Sequence, residues 1–342
     1  MKTIARFVTV LLILTLPIHA AENTSHWTIT GKIHVGGEGG WDWVTVEPAM
    51  HRLFLSHSSH VVVVDLKTRQ VTGSMDAAGV HGIALAPELK RGFFSNGGDG
   101  TVTIFDLGTL KILGKVKVGL NPDAVCYEPV TQRVFAFNGH SASATVFEAT
   151  KGMALKEIPL GGKPEFAQPD GRGGVFVNLE DKSKVLKIDA EKMKIVEQWS
   201  LPEESEPSAL SIDTVNHRLF IGCGNKKLFV MDSTSGKIIT TLPIGKGVDA
   251  DFYDSTGKRI FASCGDGTLT VIHQDSADQY TVEEMATTEK GARTMGFDPT
   301  TSTIYLPVAK FGPPPPPTPE HPKPHSSIVP DTLEILIVNQ QL

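Results

Sequence analysis

A unit of about 42 residues repeated seven times, strands with a two-residue period and no long helical periodicity together predict an all-β chain. The architecture they imply is a seven-bladed β-propeller with four-stranded antiparallel blades. Two independent internal matches carry the repeat. HRLF at 51–54 returns at 217–220, and GDGTVTIF at 98–105 returns as GDGTLTVI at 265–272, offsets of 166 and 167 that equal four units. An aromatic anchor then marks each unit: Phe54, Phe93, Phe135, Phe176, Phe220, Phe261 and Tyr305.

At the N-terminus, Lys2 and Arg6, the apolar run from Phe7 to Leu16, and Pro17 ahead of Ile18-His19-Ala20 have the layout of a secretory signal, with cleavage expected after Ala20. The run is shorter than the roughly 20 residues that span a bilayer. No Cys adjoins the cleavage point, so the product is expected to be periplasmic or secreted and free of the membrane. Residues 21–342 are expected to form one propeller domain and to be a monomer. Loss of Lys2 and Arg6 takes the formal net charge from −6 to −8. Acidic and basic residues are mixed along the chain, which excludes the basic face that nucleic acid requires. Three cysteines, at 126, 223 and 264, are too few for a disulfide framework, and the lack of CxxCH excludes covalent haem.

The first strand, Thr28 to Val35, resembles the fourth strands Lys111 to Val118 and Lys237 to Ile244. The last unit, by contrast, has only three: Arg293 to Phe297, Thr303 to Val308 and Leu333 to Val338. The N-terminal strand is therefore expected to close the ring beside Leu333 to Val338. The sixth unit shows the pattern within a blade. Strands at Ala250 to Tyr253, Arg259 to Ser263 and Thr268 to Ile272 are separated by Ser255-Thr256-Gly257 and Gly265-Asp266-Gly267, turns in which Gly supplies positive φ.

Several recurrent residues read as structural. Glu47 and Arg52, Glu128 and Arg133, Asp213 and Arg218, and Asp254 and Arg259 are expected to pair across the first hairpin of their units. Asp65, Asp106, Asp189 and Asp232 end third strands as Asx turns. Trp43 falls in a first strand and is expected to pack, while Trp41 lies in the loop before it. From 309 to 331 a Pro-rich insertion, with Pro313 to Pro317 in a row, interrupts the last unit and is expected to project as a stiff arm, a lid or a peptide-like ligand.

With the strands placed, VFAFNGHSASATVFEAT, LFIGCGNKKLFVMDSTSGK and FFSNGGDGTVTIFDLGT resemble the YVTN repeats of exported, YncE-like β-propellers. The resemblance covers the mature chain and implies the seven-bladed fold. It implies no catalytic residues, because propellers of this pattern serve as binding scaffolds, lactonases and parts of redox enzymes.

The candidate site follows from strand direction. Fourth-to-first and second-to-third turns share one face, so Asp42, His81, Asp123, Glu165, Ser208, Asp249 and Arg293 should ring the mouth of the central channel. Three residues beyond the anchors come His57, Asn96, Asn138, Cys223 and Cys264, with His60 and His140 nearby. Imidazole and carboxylate groups converging on a concavity suit a divalent metal, for which His57, His60, His81, His140, Cys223 and Cys264 are the candidate ligands alongside the acids. Cys223 and Cys264 are expected to be unpaired. The function read from this face is noncatalytic binding of a small polar ligand, a cation or a protein partner. The alternatives are a metal-dependent hydrolase of the lactonase type, with Asp42, Asp123, Asp249, Asn96 and Asn138 as its cage, and a metal-binding redox accessory protein.

Overall fold

The computed structural model describes residues 26–316 and 326–341. The export signal expected at 1–20 and the middle of the Pro-rich insertion lie outside the described residues. Seven four-stranded antiparallel sheets form the ring, and six of them take their strands in chain order. The first blade, for example, runs Trp41–Glu47, Arg52–His57, His60–Asp65 and Gln70–Asp76. In the seventh, Gly296–Asp298, Thr303–Val308 and Glu334–Gln341 are completed by the N-terminal strand His26–His34. That strand runs antiparallel to Glu334–Gln341, from the His26 and Gln341 pair to the His34 and Glu334 pair, with one irregularity between Ile29 and Gly31. The expected closure is thus the observed one.

Blades hold together through the aromatic anchors. Six of the seven are at most 1% exposed, and Tyr305 is 7% exposed. Each reaches into the seam with a neighbouring blade, as where Phe54 meets Phe105 at 5.8 Å, Phe93 meets Phe147 at 6.0 Å and Phe220 meets Tyr253 at 5.2 Å. Trp27 of the closing strand reaches into the sixth blade instead, with its ring edge-on to Phe261 at 4.7 Å and its amide donating to Glu284. Burying a ring of this size contributes about 2–3 kcal/mol, so the seams account for much of the stability.

The four Asx turns form as expected: Asp65, Asp106, Asp189 and Asp232 accept the amides of Thr68, Thr109, Lys192 and Ser235. The acid and arginine pairs need correction. Only Glu47 and Arg52 meet, at 2.6 Å. Glu128 accepts the amides of Val130, Thr131 and Gly173, while Arg133 donates to the carbonyls of Ala190 and Glu191 in the next blade. Arg218 turns to Asp232 and Asp278, and Arg259 to Glu283. The cause is local competition, because an acid opening a tight turn is taken by the amides two and three residues ahead. The arginine is left to reach outward.

Candidate functional site: an acidic cup at the channel mouth

Every residue expected at the mouth is there. Asp42, His81, Asp123, Glu165, Asp249 and Arg293 line one open cavity, and Ser208 lines a narrow one that shares Asp42, Asp123, Glu165 and Asp249 with it. What delivers them is a recurrent bulge. In each of the first six blades the register between first and second strands shifts at the ring residue, between Trp41 and Val44 in the first blade and between Val80 and Ile83 in the second. A bulge frees a residue from the ladder and re-aims its side chain, here to the axis.

The peptide groups that the bulges leave unpaired are satisfied by small polar residues two positions after the anchor. Ser95 accepts from the Gly82 amide at 2.9 Å and donates to the Asp123 carbonyl of the next blade at 2.7 Å. Ser56 caps the Trp43 amide, Asn178 donates to the Ala209 carbonyl, and Ser263 donates to the Arg293 carbonyl. Gly82 is required at its position, since a Cβ would stand 2.6 Å from the Asp123 carbonyl oxygen.

Charges at the mouth are packed closely. His81 Nδ1 lies 2.6 Å from Asp42 and 3.8 Å from Asp123, Arg293 pairs with Asp249 at 3.2 Å, and Lys163 joins Glu165 to Glu180. The Asp42 hydrogen bond holds the His81 imidazole above its ordinary value. Burial, and then the neighbouring Asp42 charge, pushes the Asp123 carboxyl up to about 6. Burial likewise pushes Asp249 up to about 6 and Glu165 up to about 7, with Asp123 adding to the latter. Ionised carboxylates here are under-solvated and mutually repelled, a condition that a cation would relieve. Among the described residues, Asp42, His81 and Asp123 are the group of His, Cys, Asp and Glu whose ligand atoms lie within 4.8 Å of one another.

The other candidates do not join them. His57, Asn96, Asn138, Cys223 and Cys264 are the last residues of second strands and are at most 1% exposed. The strand runs one residue further than a turn at that position would allow, and this carries each side chain inside the blades. Asn96 binds Thr103 and the Ala78 amide, and Asn138 binds Ser143 and Thr145. The Cys223 and Cys264 thiols are unpaired and face the carbonyls of Ile221 and Ala262. The His57 ring lies against that of His60 within the blade, tilted by 53° with ring centres 4.9 Å apart. His60 and His140 lie outside the mouth cavity.

Sequence reasoning missed the wall of the cup. Trp43 and Phe166, from the first and fourth blades, stack 4.5 Å apart across the channel, so the narrow cavity is lined by Trp43, Phe166, Phe252 and Met295 beneath the carboxylates. A signal for it was present, because the residue after the ring position is Gly or Ala in Gly82, Ala124, Ala209 and Ala250 but a large aromatic in Trp43 and Phe166. Trp41 sits at the rim, 6.2 Å from Phe311, where a bridge between Phe311 and Ile328 draws the base of the Pro-rich insertion together.

No family model matches the sequence, and no curated protein matches it either. Among solved structures, one similar chain is the Kuenenia stuttgartiensis hydrazine synthase, with a TM-score of 0.68 and 16% identity over 82% of this chain and 95% of that one. At that identity the likeness shows the propeller fold alone.

Proposed function

We propose that this chain is an exported propeller of the YncE-like kind that binds a ligand without transforming it, and that the acidic cup is its site. The ligand is a cation or a polar molecule presenting hydrogen-bond donors. One observation carries this reading: five blades each use a bulge to bring a different ionisable group, Asp42, His81, Asp123, Glu165 or Asp249, into one concavity. A scaffold with no ligand gains nothing from crowding those groups, whereas a ligand without seven-fold symmetry requires different groups from different blades.

Calorimetric titration of the signal-free protein with divalent metal salts and with amines, beside metal analysis of protein purified without an affinity tag, tests the assignment. Asp42→Ala with Asp123→Ala should abolish the binding found while leaving Tm within a few degrees, since substitutions of partly exposed residues outside the core cost about 0.5 kcal/mol or less. Binding that survives the double substitution would overturn the assignment. The triad of Asp42, His81 and Asp123 favours a second reading, metal-assisted hydrolysis of an ester or lactone, in which the ion would polarise the carbonyl. Metal-dependent lactone turnover that disappears in His81→Ala would establish it.

A further inference from the structure

Resting on the cup as the binding site, we infer that its ligand is a small organic ammonium ion, a protonated amine carried on an apolar body. The charge pattern speaks for a single positive charge. Four carboxylates line the cup, and three of them have a cation in contact: Asp42 has His81, Asp249 has Arg293, and Glu165 has Lys163. Asp123 has nothing nearer than the His81 nitrogen at 3.8 Å. Asp123 is therefore the least compensated carboxylate of the cup. A divalent ion on the triad would instead compete with Asp42 for the His81 ring, which Asp42 holds at 2.6 Å.

The walls speak for an organic body. Directly below the carboxylates the cavity is bounded by the stacked Trp43 and Phe166 and by Phe252 and Met295, surfaces that a hydrated metal ion does not use. An ammonium group near an aromatic face gains a cation–π attraction of about 0.5–2 kcal/mol in addition to its hydrogen bonds, and its alkyl chain gains from burial. An independent mark is Thr294. Its side chain lines the same cavity and is 6% exposed, and its hydroxyl oxygen has no hydrogen-bond partner within the protein. A buried hydroxyl left so is costly. Asp123 thus supplies a charged acceptor above an apolar pocket whose lining includes the unpartnered Thr294.

The test is titration calorimetry of the signal-free chain with n-butylammonium, with n-pentanol as the neutral analogue of similar length, and with Mn²⁺. One saturable site for butylammonium is expected, with pentanol at least tenfold weaker. Asp123→Asn should weaken butylammonium at least tenfold, and Thr294→Val, which keeps the shape of the side chain, should weaken it severalfold. Thermal melts confirm that each variant is folded. Should Asp123→Asn fail to fold, Trp43→Leu serves in its place, with the same tenfold loss expected. Equal binding of amine and alcohol, or amine binding indifferent to both Asp123→Asn and Thr294→Val, overturns the inference. Mn²⁺ binding that requires His81, with no amine binding, overturns it while leaving the cup as the site. A ligand that binds away from the cup overturns both readings.

Discussion

Asp123 and His57 show how opposite pKa shifts give opposite dependences on pH. Folding raises the Asp123 and Asp249 carboxyls to about 6 and Glu165 to about 7, in each case first through burial. A raised acid holds its proton more tightly folded than unfolded, so its contribution is complete below the unfolded value of about 4 and is lost as pH rises through the folded value. His81, raised by its bond to Asp42, has the same sign. His57 is lowered by burial, so its contribution is present above about 6.5 and is lost as pH falls. The ligand-free protein should therefore lose Tm between about pH 5 and pH 8, as the three carboxylates outweigh one imidazole. Asp123→Asn with Asp249→Asn should flatten that slope, and a slope unchanged in the double variant would refute the account. The cysteines give a simpler expectation. All three are buried, and burial pushes their thiols up, Cys264 to about 12, so a thiol reagent should label none of them until the protein is denatured.

At the scale of the strand and its bulge, the small polar residue two positions past the anchor decides whether the cup holds its shape. Ser95→Ala would leave the Gly82 amide and the Asp123 carbonyl without their partner. That should cost about 1–3 kcal/mol by chemical denaturation, more than a substitution at an exposed turn. It should also weaken binding, because the Asp123 carboxylate is carried on the same bulge. The ring of ionisable residues was legible in the sequence, since the first strands open at the same phase of the repeat, Glu165 alone needing a shift of one residue among the acids and His81. The neighbouring set, from His57 to Cys264, was misplaced for a physical reason. A polar residue at the end of a strand can face a loop or can bond to its own blade, as Asn96 does with Thr103, and the pattern of residue types is the same in both cases. Partners on other blades were equally hidden. Nothing in the spacing of Asp213 and Arg218 says that the arginine crosses to Asp278 in the next blade, because that contact depends on packing between repeats and not on the repeat itself.

For the whole molecule the governing fact is closure by one strand, which the sequence revealed because the last unit was one strand short and the first segment resembled a fourth strand. A closed ring leaves no blade with a missing neighbour. The strand His26–His34 completes the seventh sheet and also places Trp27 against Phe261 of the sixth. Deleting it should expose the edge of Glu334–Gln341 and remove the Trp27 contact, leaving a chain that associates through the open edge. Circular permutation separates the role of closure from that of any particular end. His26 and Gln341 are paired in register, so a short Gly-rich linker joins them without strain. New ends placed between Thr234 and Ser235, both exposed in the outer turn of the fifth blade, would leave Ile238–Pro243 as the first strand of the permuted chain. That strand would then complete the fifth blade much as His26–His34 completes the seventh, and all seven blades would still be four-stranded. The permutant should melt in one cooperative transition within a few degrees of the parent and bind at the cup with unchanged affinity. The deletion should aggregate or melt far lower. A permutant that unfolds in two steps, or a deletion as stable as the parent, would show that the blades stand independently and that closure is not what holds the ring.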